Sequence, residues 1–127
     1  VAHLRREPPA NGRLARAVVD RVAEYVDAHL GATVTLDALA SVAGLSPFHF
    51  ARAFKATTGL APHQFVTARR MDRALRLLVS TSVSVPDIAH AVGLSNISHF
   101  RRTFTAHLGV RPGEVRKIRP SPRRAGV

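Results

Sequence analysis

Residues 36–62 are LDALASVAGLSPFHFARAFKATTGLAP, and residues 85–112 are VPDIAHAVGLSNISHFRRTFTAHLGVRP. Sliding the chain on itself by 49 places Ala40, Gly44, Leu45 and Ser46 on Ala89, Gly93, Leu94 and Ser95. Sliding by 50 places His49, Phe50, Arg52, Phe54, Ala56, Gly59 and Pro62 on His99, Phe100, Arg102, Phe104, Ala106, Gly109 and Pro112. Average residue usage predicts about two identities in such an overlap, against eleven found. The segment is therefore a duplicated unit, and the change of offset marks one extra residue just after the second turn.

Each copy has the form of a short helix, an Ala/Val-Gly-Leu-Ser turn and a longer helix. Gly44 and Gly93 permit the positive φ that a tight turn needs. Leu45 and Leu94 are placed to plug the angle between the helices. Ser46 and Ser95 are placed to cap the second helix by accepting from an orphan N–H. Two helices joined by a short Gly-containing turn form a helix-turn-helix unit. One copy alone would fit many helical hairpins, whereas two copies in a basic chain narrow the choice.

In the longer helices Phe50/Phe54 and Phe100/Phe104 are i, i+4 pairs, the spacing of a core stripe. Arg52 and Arg102 fall two residues beyond the first Phe of each pair, away from that stripe. Both copies keep Arg there, which favours contact with base edges or phosphate over a merely solvated charge. The other outward positions differ: Pro47, Phe48 and Ala51 in the first copy, Asn96, Ile97, Ser98 and Arg101 in the second. Similar frames with different faces suit two different half-sites.

Outward from the repeat the pattern stays helical. Leu14, Val18, Val22, Tyr25/Val26 and His29 recur at helical spacing up to a stop at Gly31. Thr35 precedes Leu36, Leu39 and Ala40, with Asp37 in the first turn. A third helix is expected from about Pro47 to Gly59. A fourth is expected from Pro62 to about Val79, with Phe65, Ala68, Met71, Leu75 and Leu78 inward and Arg69, Arg73 and Arg76 as an opposite stripe. Pro86 is expected to open one more short helix, Asn96 another, and Pro112–Gly113 the last. Val83 and Val85 do not amount to a strand. The expected fold is all-α, about seven helices in two helix-turn-helix subdomains joined by a long central helix. The divisions are a linker or tail at 1–12, a first subdomain at 13–61, a connecting helix at 62–80, a second subdomain at 81–118 and a basic tail at 119–127.

The 127 residues carry 19 Lys+Arg against 8 Asp+Glu, a net charge of +11. Such an excess points to a polyanion, with nucleic acid the default. All the basic residues except Lys55 and Lys117 are Arg, the better fork for phosphate and guanine edges. A hydrophobic content of 46% can support a packed core. There is no cysteine, which excludes disulfide scaffolds, Cys-ligated zinc and cysteine nucleophiles. No apolar run approaches the roughly 20 residues of a membrane helix, and no signal peptide is visible. The seven histidines lack metal-ligand spacing, and His49 and His99 are expected at the DNA backbone or beside the turn. No metal, cofactor or catalytic constellation is expected.

The doubled pattern resembles the DNA-binding region of the AraC/XylS family of bacterial transcription regulators, over about residues 14–118. The most specific part of the resemblance is IAHAVGLSNISHFRRTFTAHLGVRPGEVRK, beginning at Ile88. The resemblance implies that helices at about 47–58 and 96–107 enter major grooves of one duplex, joined by a connector at about 62–79. It matches base-reading positions to Phe48, Ala51 and Arg52 in the first unit, and to Ile97, Ser98, Arg101 and Arg102 in the second. Pro47, His49, Lys55, Asn96 and Thr105 complete the candidate DNA-binding set. Ala51 departs from the long polar residue common at its place, so the first unit is expected to read fewer bases, or thymine methyls. A connector of 18 residues spans about 27 Å, against about 34 Å between successive grooves, so a modest DNA bend is expected. The implied role is sequence-specific DNA binding that regulates transcription, as activator or repressor, in the bacterial cytoplasm on the nucleoid. Expected partners are double-stranded DNA and RNA polymerase, with no membrane. The initial Val and the Pro-Pro-Asn-Gly region at 8–12 suggest a fragment, with an effector or dimerisation domain before it. The alternative is a non-specific cationic binder of RNA or of an anionic surface. A small enzyme is disfavoured because no catalytic set is present.

Overall fold

The structure is a computed structural model that describes residues 12–118. Among these residues the chain forms seven helices and no strand. They are α1 (Arg16–Ala28), α2 (Leu36–Ala43), α3 (Pro47–Thr58), α4 (Pro62–Ser80), α5 (Val85–Ala91), α6 (Ile97–Leu108) and α7 (Pro112–Ile118). The tails expected at 1–12 and 119–127 lie outside the described residues, apart from Gly12. The chain divides into two compact units between Thr67 and Ala68, inside α4.

In the first unit, α1 buries Val18, Val22 and Val26 at spacings of four, one face of a helix. That face meets Leu39, Ala40 and Ala43 of α2, Leu45 of the turn, and Phe50, Ala53 and Phe54 of α3. Val66, from the first turns of α4, closes the same core, and Phe65 packs against it with its ring edge on Phe54. In the second unit, Met71, Ala74 and Leu78 of α4 meet Ile88 and Ala89 of α5, Phe100 and Phe104 of α6, and Val115 of α7. Each unit thus centres on one fully buried Phe pair, Phe50/Phe54 or Phe100/Phe104. Removing such a side chain from water stabilises by about 1.5–3 kcal/mol.

The two turns share one backbone solution. Gly44 has φ 74° and Gly93 φ 87°. The Leu45 N–H donates to the Ala40 carbonyl at 3.0 Å, and the Leu94 N–H to that of Ala89 at 2.8 Å. These are the six-to-one bonds of a Schellman ending, which needs a left-handed residue. Any other L-residue there would cost roughly 1–2 kcal/mol. Leu45 is buried, and Leu94 packs half-buried against the second core.

Several expectations are corrected. The cap of α6 is Asn96, whose side chain accepts from the His99 N–H, and not Ser95. The inserted residue moves the capping position one step along, so Ser46 corresponds to Asn96. The short helix before it starts at Val85, with Ser84 as its cap and Pro86 in its first turn. Leu36, in the first turn of α2, is 41% exposed rather than inward. His29 lies outside on its own helix, with Nδ1 2.7 Å from the Tyr25 carbonyl and its ring stacked on Tyr25. Ala68, expected inward, is half-buried, and of the opposite arginine stripe Arg69 and Arg73 are half-buried and Arg76 is exposed.

Candidate nucleic-acid interface

Each long helix is fixed at both ends before its outer face is set. Ser46 Oγ accepts from the His49 N–H at 3.3 Å and lies 2.7 Å from His49 Nδ1. Asn96 Oδ1 accepts from the His99 N–H at 2.9 Å. Such caps are worth about 1 kcal/mol each and define where the helix begins. At the far ends Gly59 and Gly109 terminate α3 and α6. Beyond them Gln64 Oε1 accepts from the Ala61 N–H at 2.9 Å, and Glu114 Oε1 from the Arg111 N–H at 3.4 Å. The duplication therefore extends in structure into the next helix, where Gln64 and Glu114 do the same job although they differ in sequence.

With the Phe stripe inward, the opposite face of α3 carries Phe48, Ala51, Arg52 and Lys55, at i, i+3, i+4 and i+7. The corresponding face of α6 carries Ser98, Arg101, Arg102 and Thr105. Arg52, Lys55, Arg101 and Arg102 are exposed, and among the described residues none of them forms an ion pair. Phe48 is 65% exposed, and the Arg52 guanidinium carbon lies 5.4 Å from its ring centroid. Ala51 and Thr105 are half-buried. Pro47 is half-buried at the start of α3 and Asn96 is exposed at the start of α6. His49 is exposed beside its Ser46 cap, and Ser98 is exposed one residue before His99. Ile97 packs partly against the second core, so its side chain is shared between the hydrophobic interior and the helix start.

A shallow groove lies beside each face. In the first unit His49, Arg52, Lys55, Ala56 and Pro62 line it. In the second, Arg101, Arg102, Thr105, Arg111 and Lys117 line it, with Glu114 as the one carboxylate among its residues. Arg111 donates to Glu114 Oε2 at 3.0 Å. That hydrogen bond, then the one from the Arg111 N–H and the Arg111 charge, hold the Glu114 carboxyl below the usual carboxylate range. Glu114 is therefore anionic at neutral pH and offsets Arg111, while Arg101, Arg102 and Lys117 leave the groove's lining net positive. Burial lowers the Arg70 guanidinium from its ordinary value. No group of three or more His, Cys, Asp or Glu among the described residues could hold a metal ion.

One functional support has no counterpart in the sequence pattern. Arg116 of α7 folds its guanidinium onto the end of α4. It donates to the carbonyls of Leu77 at 3.3 Å, Leu78 at 3.4 Å, Thr81 at 3.0 Å, and Val83. The last carbonyls of a helix have no partner within it, and a guanidinium with five donors can serve several at once. No described helix is long and apolar enough to cross a membrane.

Comparison with known proteins places this geometry. A family model described as a helix-turn-helix domain matches residues 39–118. The chain is 31% identical over 100 residues to the bifunctional transcriptional activator/DNA repair enzyme AdaA of Bacillus subtilis, covering 79% of this chain and 47% of that protein. A solved transcriptional regulator of Chromobacterium violaceum, described as AraC-type, superposes with a TM-score of 0.78 at 29% identity, over 84% of this chain and 96% of that one. The DNA-binding domain of the global transcriptional factor AdpA, solved with a target DNA, superposes with a TM-score of 0.72 at 29% identity, over 81% and 92%. The chain spans less than half the length of the curated relatives it matches.

Proposed function

Because the chain belongs to the AraC-type helix-turn-helix family, we propose that it binds double-stranded DNA sequence-specifically and so regulates transcription. α3 and α6 are the recognition helices, each lying in a major groove of the same duplex. The observation that carries this reading is the repeated outer face. Two helices, capped at equivalent residues and packed through equivalent Phe pairs, each present an exposed arginine at the same register with no carboxylate partner among the described residues.

Base edges are read by Arg52 in the first unit and by Arg101 and Arg102 in the second, since Arg bonds guanine O6 and N7 bidentately. Phe48 and Ala51 supply apolar contact, and Ser98 and Thr105 supply hydroxyls. Ile97 contributes at most its exposed edge. Lys55, His49 and the cap backbones of Ser46 and Asn96 face phosphate, where helix N-termini and cations fix the register of the protein on the duplex. No bond is made or broken. Seating both helices on one duplex bends the DNA modestly, at a cost of about 1–6 kcal/mol that the second unit's contacts must return.

In the intact protein an effector-binding or dimerisation domain accompanies this region, and contact with RNA polymerase turns binding into regulation. The working place is the bacterial cytoplasm, on the nucleoid. The relatives' much greater length supports the first of these. In-vitro selection from random duplexes tests the whole. A consensus of two half-sites about one helical turn apart is expected; selection that enriches no sequence rejects it.

A further inference from the structure

The duplication supplies its own control for the groove of the second unit. Arg52, Ala56 and Pro62 line the first groove, and Arg102, Ala106 and Pro112 line the second at equivalent places. The frame is thus shared, and the differences are chemical. Arg101 and Arg111 stand where the first copy has Ala51 and Ala61, and Lys117 stands at the place of Thr67. The second groove therefore carries four cations and one carboxylate, whereas Arg52 and Lys55 are the permanent cations of the first. It is also larger, about 780 Å³ against about 590 Å³. Part of its wall is Gly113, at the place of His63 in the first copy. A Cβ built on Gly113 meets no atom within 4 Å, so the space beside it is open.

The lining has two chemistries. Val85, Ala106 and Pro112 are apolar, and the aliphatic stems of Arg101, Arg102 and Lys117 extend that surface toward their charged heads. Concave surfaces of about 300–1,000 Å³ with apolar lining and a few placed polar groups are the form of small-molecule sites. A neutral apolar ligand would leave the cations without a partner. A bare inorganic anion, or a phosphodiester strand, would use the cations and leave the apolar lining wet. An anion with an aromatic or aliphatic body satisfies both. Arg111 is already engaged by Glu114 at 3.0 Å. That leaves Arg101, Arg102 and Lys117 for the anionic head, with the Thr105 hydroxyl as a further donor.

We propose that the groove beside α6 and α7 binds a small amphipathic anion, and that its occupancy excludes duplex DNA from α6. The binding site stands by itself. The exclusion rests on α6 entering the major groove, because Arg101, Arg102 and Thr105 belong to both surfaces. Mass action then lowers duplex affinity by the factor 1 + [L]/Kd, about elevenfold at ten times the ligand's Kd. A small molecule thereby acts on the DNA-binding region directly, and on its second unit alone.

The probe is 8-anilinonaphthalene-1-sulfonate, with N-phenyl-1-naphthylamine as the same body lacking the anion. Fluorescence and calorimetric titration should show one sulfonate bound with Kd about 10–100 µM, the range for a ligand of its size. The amine should bind about tenfold more weakly, having lost its charge-assisted hydrogen bonds. Gly113→Leu fills the open space with a better helix former and should weaken the sulfonate about tenfold or more by overpacking. Circular dichroism should show this variant folded. Its affinity for the duplex recovered by in-vitro selection should be unchanged, since it adds no charge and removes no contact. Lys117→Gln should weaken the sulfonate up to about fivefold, the worth of one exposed ion pair, and leave the amine unchanged. Sulfonate at about ten times its Kd should weaken the selected duplex about elevenfold, and far less in Gly113→Leu. Several bound sulfonates that ignore Gly113→Leu overturn the site. Sulfonate and duplex bound together without mutual weakening overturn the exclusion. No sulfonate bound, with Lys117→Gln weakening every duplex equally, makes the groove a seat for the DNA backbone; it overturns the proposal and leaves the function intact. One sulfonate bound and blocked by Gly113→Leu, in a protein that prefers no duplex, upholds the site and overturns the DNA reading.

Discussion

Replacing Arg102 by Ala removes one exposed side chain that makes no ion pair within the described structure. The substitution orphans no internal group, and Ala is at least as good a helix former as Arg. Stability should therefore change by less than about 0.5 kcal/mol, the usual size at such surface positions. Whatever is lost in binding is then a lost contact and not a lost fold. A bidentate bond pair from Arg to a guanine edge is worth about 1–3 kcal/mol of discrimination, which is roughly a fivefold to 150-fold weakening on the preferred duplex. The assay is competition binding to the selected duplex and to its single-base variants, at several salt concentrations. The expected result is a loss concentrated at one base position, where the variant no longer distinguishes guanine from the other bases. The contrary result is equal weakening on every sequence, with the salt slope reduced by about one. That pattern belongs to a phosphate contact, and it would remove Arg102 from base recognition.

Other perturbations test the frame that carries these side chains. Phe104→Ala empties a fully buried site beside Phe100 and should destabilise the second unit by about 3–5 kcal/mol, read by urea or thermal unfolding; a change under 1 kcal/mol would contradict the core assignment. Arg116→Ala removes the guanidinium from four carbonyls at and after the end of α4, of which Leu77 keeps the Thr81 N–H and hydroxyl, and should cost about 1–3 kcal/mol. Arg116→Lys should recover only part of it, whereas full recovery would show that charge alone suffices. Glu114 has a folded-state value below its unfolded one, so its contribution is complete above the unfolded carboxylate range near pH 4.3 and fades as pH falls through the lower folded value. Glu114→Gln should thus lower the melting temperature at pH 7 and converge with the unaltered protein once the pH falls below the folded-state value; a constant offset at every pH would refute the linkage.

What the sequence disclosed follows from what is local. The Phe pairs and the face opposite them follow from a period of 3.6 residues, and their assignment needs no knowledge of partners. Gly44 and Gly93 were legible because a left-handed turn has few chemical solutions, and because the repeat displayed the same one twice. The cap of α6 was harder. Ser95 and Asn96 are both good capping residues, and only the backbone angle of Asn96 decides which of them starts the helix. Leu36 matched the apolar period but sits in the first turn of an eight-residue helix, where the core has already curved away. Ile97 matched an outward position by alignment of the two copies, yet the second core takes part of it. Arg116 could not be found by pattern at all. Its partners lie 33 to 39 residues earlier and are backbone carbonyls, which carry no sequence signal. The exposed pairing of Phe48 with Arg52 was half visible, since i, i+4 spacing permits the contact, but only the placed side chains establish it.

The central claim is that two repeated, arginine-bearing helices recognise one particular duplex and not duplex DNA in general. The direct measurement is the dissociation constant on the selected duplex and on random duplex, each titrated across several salt concentrations. A ratio of about 10³ or more should persist as both affinities fall steeply with salt. A ratio near one at every salt concentration would mean that the positive charge alone does the binding, and that the duplicated recognition face has no sequence to recognise.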